Sequence, residues 1–252
     1  METQEITRHI VEWLRAYSYR GFVVGVSGGV DSAVTSTLCA MTGRPTIAVY
    51  MPEVLNTKQS TLAEQHMAEL ALRYSNIESK TLEMYPLLHN FKLMMSRVGC
   101  DNDLALANSK SRFRMLTLYH IAQANELLVC GTGNKVEDFG VGFFTKHGDG
   151  GVDISPIGDL MKSEVYELGR HLEVNEKILE APPTDGLWTD GRTDEDQLGI
   201  TYDEAEWAMK LDEKGEEPSD PLSERTYKIY KEWHTKNHHK MKPIPVCIIP
   251  RH

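Results

Sequence analysis

The sequence predicts an α/β fold: a doubly wound parallel sheet with helices on both faces and a helical C-terminal extension. Three observations predict it. Short, near-continuous apolar runs alternate with helix-length segments, the pattern of strands buried on both faces and joined by helical crossovers. The first apolar run, "GFVVGV", leads through a glycine-rich turn directly into a helix-forming stretch. Beyond about residue 145 the strand signals stop, and turns and helices take over.

The opening segment, "METQEITRHIVEWLRAY", reads as a surface helix, because Ile6, Ile10, Trp13, Leu14 and Tyr17 fall on one helical face. Charges interrupt it throughout, so it is not a signal peptide. Strands are expected at 22–26 ("FVVGV"), 46–51 ("TIAVYM"), 76–82 and 126–130 ("ELLVC"), with helices near 31–41, 57–74 and 103–124. The crossovers should be right-handed. Ligands of such sheets sit beyond the C-terminal ends of the strands, near a switch in strand order. The segments after strands one, two and four, "SGGVDS", "PEVLNTKQ" and "GTGNKVEDFG", should therefore carry the chemistry. Further on, "TKHGDGGVDISPIGDL" is turn-rich and a helix follows at 162–173. After the breaker-rich "APPTDGLWTDGRTDEDQLG" come an acidic helix at 203–213, a break at "KGEEPSDP" and a final helix at 219–238. The chain reads as one domain over 1–252, with a core at about 20–180 and the extension at about 181–252.

A chain of 252 residues, 40% apolar and 25% charged, buries a core that needs no disulfide or metal staple. Its net charge of −10 argues against broad attraction to nucleic acid. No apolar run reaches the ~18–20 residues that span a membrane. The four cysteines, Cys39, Cys100, Cys130 and Cys247, form no C-x-x-C pair. They are expected to be reduced, mostly buried thiols of a cytoplasmic protein.

The loop after the first strand, Gly25 to Ser32, has the chemistry of an anion cradle. Glycines let backbone N–H groups approach phosphate, and the helix that follows adds its positive dipole end. Ser27 and Ser32 offer hydroxyls. Asp31 would repel a phosphate unless a cation intervenes, and Mg²⁺ bridging carboxylate and phosphate resolves this. The loop lacks both G-x-G-x-x-G and the Walker lysine. By spacing alone it is also compatible with a purely structural turn.

S-G-G-x-D-S after a first strand resembles the pyrophosphate loop of ATP pyrophosphatases that release AMP and PPi. Within that group, "GTGNKVEDFGVGFFTKHGDGGVDISPIGDLMKSEVYEL", "ANSKSRFRM", "TDEDQLGITYDE" and "HHKMKPIP" resemble, in order, the ammonia-dependent NAD synthetases. The resemblance spans about residues 25–243. It implies that Gly25, Val26, Ser27, Gly28, Gly29, Val30, Asp31 and Ser32 form the ATP loop, with Thr132, Lys162 and Thr184 as later ATP contacts. It implies Asp31 and Glu137 as magnesium ligands. It implies Arg112, Lys146, Asp153, His239 and Lys240 as contacts to deamido-NAD, with Asp149 or Asp153 to take the proton of ammonium and Asp149 favoured. The implied cofactor is Mg²⁺ with ATP as co-substrate. The implied partners are ATP, deamido-NAD, ammonia and a second copy, with the substrate site at the homodimer interface. The implied activity is ATP-dependent amidation of deamido-NAD to NAD through an adenylate, with Asp31, Glu137, Lys162 and Asp149 carrying the chemistry.

The residues speak to parts of this independently. Arg112 shares a helical face with Met115, Leu116 and Tyr119, while Arg114 points nearly opposite, so Arg112 reads either as a cleft arginine or as a snorkelling surface one. Lys236 to Lys242 holds three lysines and two histidines with no acid, a local positive site or a solvated tail. The family's arginine after strand two is Tyr50 here, and Lys58 or Gln59 is the candidate replacement. The chain leaves no room for a glutaminase domain of ordinary size, so free ammonia is the expected nitrogen source. A tRNA-modifying relative should show a basic surface or cysteine pairs. A non-catalytic nucleotide sensor would have no need of Glu137, Lys146 or the basic C-terminal run.

Overall fold

The computed structural model describes residues 2–18, 20–53, 58–188 and 190–250, without the side chains of 58–60. Four parallel strands, β1 (Phe22–Gly25), β2 (Thr46–Tyr50), β3 (Ile77–Thr81) and β4 (Leu128–Cys130), lie in the order β3-β2-β1-β4. Phe22 is in register with Thr46 on one side and Leu128 on the other. The order reverses at β1, so the switch point lies between β1 and β4. A parallel bridge from Cys130 to Ile154 extends the sheet beyond β4.

The two-residue period of the strands divides the core. Val23, Ile47, Val49 and Val129 point to the face covered by α4 (Tyr85–Arg97) and α5 (Asp103–Asn125). Phe22 and Val24 point to the face covered by α1 (Thr3–Tyr17), α2 (Val30–Met41) and α6 (Lys162–His171). Ala48 and Tyr50 meet Ala63 and Met67 of α3 (Lys58–Arg73). A separate core joins the segment after β4 to α8 (Asp194–Leu198), α9 (Tyr202–Lys214) and α10 (Pro221–Met241) through Val136, Val141, Leu198, Ala205, Met209 and Tyr230. Between them, α7 (Glu176–Leu179) buries Ile178. The helix starts follow from sequence: Asn102 caps α5 through the Ala105 amide at 2.8 Å, and Asp220 caps α10 ahead of Pro221.

Four expectations need correction. The buried face of α1 runs through Thr7, Ile10, Val11 and Leu14, while Tyr17 is exposed and Trp13 lies against it. Helix α4 was not anticipated, because it fully buries only Leu88 and leaves Leu87, Leu93 and Met94 exposed, which blurs its period. The final helix continues to Met241, so the basic run at 236–242 is mostly helical. Only Cys39 and Cys130 are buried, their sulfurs 3.5 Å apart, whereas Cys100 and Cys247 are exposed. The sheet, with helices on both faces, and the helical C-terminal part agree with the expected class.

Candidate active site

A cavity of about 1170 Å³ opens at the C-terminal ends of β1, β2 and β4, lined by Gly25–Ser32, Val49–Glu53 and Gly131–Thr132. All three loops singled out by the strand-end rule thus reach one space. Gly28 has φ +89°, which an L side chain rarely adopts. Ser32 is buried; its hydroxyl accepts from the Ser27 amide at 3.1 Å and contacts the Gly29 carbonyl at 2.9 Å. Ser32 therefore braces the loop from within. Gly29 at the N-cap of α2 supplies no capping side chain, so the first-turn amides remain available to an anion.

Asp31, Glu137 and Lys162 meet in this cavity. The Lys162 ammonium donates to Asp31 Oδ2 at 2.6 Å and to Glu137 Oε1 at 3.0 Å, and its side chain is only 3% exposed. Burial works against that charge, but the two carboxylates outweigh it and raise the lysine above its usual range. Burial also raises Glu137, opposed by Lys162. Asn134, wholly buried, ties the two loops together. Its amide nitrogen donates to Asp31 Oδ1 at 3.0 Å, and its oxygen accepts from the Glu137 amide at 3.1 Å. Glu137 sits on a π-helical turn, Val136–Val141, closed by Gly142 at φ +63°. A Cβ on Gly142 would lie 2.5 Å from that of Asn237.

From α9, the Tyr202 hydroxyl lies 2.6 Å from Glu137 Oε1 and 3.2 Å from Asp194 Oδ2. Its ring lies under Lys162, 4.6 Å from Nζ to the centroid. Burial, then Glu137 and Asp194, raise the phenol far above its usual range, so it remains a donor. Asp194 is pushed up to about 7 by burial and by Glu137, and its buried Oδ1 has no hydrogen-bond partner among the described residues.

Asp31 and Glu137 offer carboxylate oxygens to the same space. Glu137 Oε2 carries no hydrogen bond among the described residues, while Oε1 is held by Tyr202 and Lys162. Two hard oxygen donors beside a phosphate cradle fit Mg²⁺, which completes its shell with water and phosphate oxygens rather than a closed protein cage. No cluster of three or more metal-binding side chains occurs among the described residues.

Thr132, Thr184 and Lys240 also line the cavity. The Thr184 hydroxyl accepts from the Gly186 amide at 3.2 Å, and the Lys240 ammonium donates to the Phe144 carbonyl at 2.6 Å. Burial lowers Lys240 to about 8, opposed by Asp149. Asp149 lines the cavity too; its Oδ1 accepts from Ser111 Oγ at 2.6 Å and from the Thr145 amide at 3.0 Å. Lys110 of α5 pairs with Glu53 at 2.5 Å and donates to the Leu187 carbonyl at 3.2 Å, fastening the segment after Thr184 to α5.

Arg112, Lys146, Asp153 and His239 are not among the cavity-lining residues. Arg112, Lys146 and His239 are linked to one another outside the cavity, and Asp153 is held separately. Arg112 is exposed and donates to the Lys146 carbonyl at 3.2 Å, and Lys146 Nζ donates to the His239 carbonyl at 3.0 Å. Asp153 accepts from Tyr119 OH at 3.1 Å and from the Val129 amide at 2.8 Å. The α5 arginine lining this chain's cavity is Arg114, among Glu53, Asp149 and Asp185. Its signal was present as the stripe Ala107, Ser111, Arg114, Leu118 at helical spacing, all cavity-lining. Asn134, Asp194 and Tyr202 lie in segments the sequence singled out, but their roles had no signal of their own, because they depend on Asp31, Glu137 and Lys162 meeting there. Lys58 and Gln59 have side chains outside the described residues.

The family profile for NAD synthase matches residues 2–244. The chain is 36% identical to the NH₃-dependent NAD⁺ synthetase of Archaeoglobus fulgidus over 98% of each chain. Among solved structures, the NMN synthetase of Francisella tularensis superposes with a TM-score of 0.84 at 35% identity, covering 100% of both chains. The NH₃-dependent NAD synthetase of Campylobacter jejuni, solved with a nitrate ion, superposes with a TM-score of 0.79 at 28% identity, covering 98% of this chain and 100% of that one.

Proposed function

This chain belongs to the NAD synthase family, and on that premise we propose that it amidates deamido-NAD with ammonia, consuming ATP and releasing AMP and PPi. The observation that carries the reading is the single cavity. It joins a glycine phosphate loop, the Asp31–Glu137–Lys162 cluster, and Asp149, Arg114 and Lys240 in one lining.

The nicotinate carboxylate is a poor acyl group: its charge repels a nucleophile and oxide does not leave. In the first step its oxygen bonds to the α-phosphorus of ATP and the bond to PPi breaks. The work is positioning and charge neutralisation. The loop amides and Lys162 hold the departing PPi, while Arg114 and Lys240 supply positive charge to the substrate's anionic groups. When bound by Asp31 and Glu137, Mg²⁺ supplies charge neutralisation at the phosphates. In the second step ammonia bonds to the carbonyl carbon and the bond to AMP breaks. The nitrogen loses a proton to Asp149, whose Oδ2 has no hydrogen bond among the described residues.

We assign Arg112, Lys146, Asp153 and His239 to a substrate site shared with a second copy. They lie outside the cavity, with Arg112, Asp153 and His239 exposed, and α4, its C-cap and α5 leave Met94, Val98, Leu104 and Leu116 at 56–67% exposure, apolar surface suited to a homodimer contact. A cytoplasmic setting suits the substrates and the four free thiols; no described helix is long and apolar enough to cross a membrane.

The test is incubation with ATP, Mg²⁺, ammonium and deamido-NAD, following AMP and NAD. AMP release indifferent to deamido-NAD would sink the assignment. The likeness to an NMN synthetase along the whole chain favours one second reading, amidation of nicotinate mononucleotide. The same assay with the mononucleotide decides between them by the ratio of kcat/KM values.

A further inference from the structure

We propose that Tyr202 is the positioning residue of this site, with its hydroxyl orienting Glu137 and its ring face seating Lys162. The inference rests on the reading of Asp31 and Glu137 as cation ligands.

A phenol has one proton to give. The Tyr202 oxygen is closer to Glu137 Oε1, at 2.6 Å, than to Asp194 Oδ2, at 3.2 Å, so the proton goes to Glu137. With Lys162 Nζ also on Oε1 at 3.0 Å, that oxygen is committed, and Oε2 is left for a cation. Tyr202 thus fixes which carboxylate oxygen faces the phosphates. The same ring sits 4.6 Å below the Lys162 ammonium, so the two groups that must bracket the phosphates share one support. Tyr202 is itself immovable: it is 5% exposed, packed in the core with Val136, Leu198 and Ala205, and Thr201 caps its helix through the Glu204 amide. It is not among the cavity-lining residues and reaches the cavity only through side chains that are: Glu137, Lys162 and, at longer range, Asp194.

Two substitutions separate the two roles. Tyr202→Phe keeps the ring under Lys162 and removes only the hydroxyl; Tyr202→Leu removes both. The probe is Mn²⁺ in the presence of α,β-methylene ATP, titrated by electron paramagnetic resonance on the full chain, alongside the Mg²⁺ dependence of turnover. Loss of a hydrogen bond behind a ligating carboxylate typically weakens metal binding tenfold or more, so Tyr202→Phe should bind Mn²⁺ about tenfold more weakly. Excess Mg²⁺ should return its kcat to within about threefold of wild type, because the seat of Lys162 is intact. Tyr202→Leu should lose kcat in a way that Mg²⁺ does not restore. If Tyr202 only fills the core, Tyr202→Phe will show a lowered melting temperature and an unchanged Mn²⁺ constant, and the proposal is overturned. A tighter Mn²⁺ constant overturns it equally. Wild-type protein that takes up no Mn²⁺ with the analogue would instead remove the cation-site reading, and this inference with it.

Discussion

Replacing Asn134 with alanine should damage both stability and turnover, because one buried amide holds the two halves of the site together. The side chain gives Asp31 a hydrogen bond at 3.0 Å and takes one from the Glu137 amide at 3.1 Å. A bond to a charged acceptor contributes about 1.5–3 kcal/mol, toward the lower end here because the Asp31 side chain retains 17% exposure. An amide N–H left buried without a partner costs about 1–3 kcal/mol. Together they predict a loss of about 3 kcal/mol in urea unfolding of Asn134→Ala. Freed of the tie, Asp31 and Glu137 shift relative to each other, and a displacement of ~1 Å at a reacting site costs about 100-fold in rate. The assay pairs urea denaturation with kcat/KM for amidation at saturating ammonium. A variant within 0.5 kcal/mol of wild type that keeps kcat/KM within about twofold would refute the tie.

Three further outcomes follow from the same geometry. His66 is buried against Ser36 and lowered from 6.5 to about 4, chiefly by burial. Its unfolded form therefore takes up a proton first, and stability present above pH 6.5 is lost as pH falls toward 4, by about 3 kcal/mol; urea midpoints of wild type and His66→Gln across that range should diverge, and parallel curves would contradict this. Lys162→Met leaves two largely buried carboxylates facing each other without their cation, a change costing about 3 kcal/mol, the low end for a broken buried pair because both retain some exposure. Added Mg²⁺ should raise the melting temperature of that variant more than that of wild type, and equal shifts would count against a shared cation site. If Arg112 serves the partner subunit's cavity, Asp31→Asn and Arg112→Ala chains, each inactive alone, should recover about a quarter of wild-type activity when mixed and reassociated; no recovery would place Arg112 in the site of its own chain.

What was legible in the sequence was what short-range pattern carries. Apolar alternation located all four strands, and the glycine turn before α2 marked the phosphate cradle at the right sheet edge. The pairing of Asp31 with Glu137 came from the family likeness, and the two carboxylates do share Lys162. The remainder depended on long-range packing. Arg112 and Arg114 differ by two positions on one helix; the stripe through Ala107, Ser111, Arg114 and Leu118 could have pointed to Arg114, and the docking of α5 turns that stripe to the cavity. Asn134 and Tyr202 look like an ordinary loop amide and an ordinary core tyrosine until residues 103 and 65 positions away come to meet them. Helix α4 escaped notice because most of its apolar side chains face outward.

The π-helical turn at Val136–Val141 means that part of this site is encoded in a residue count. Val136 and Val141 are five positions apart, yet both are fully buried. In an α-helix such a pair would diverge by roughly 140°; the wider turn brings them round to one side. Point substitutions along the turn leave that winding in place. Deleting a single residue would close the wide turn to α-helical pitch, and the side chains between Val136 and Val141 could not all keep their present directions. The setting of Glu137 between its partners would be lost with the winding. This stretch should tolerate changes of side chain far better than changes of length.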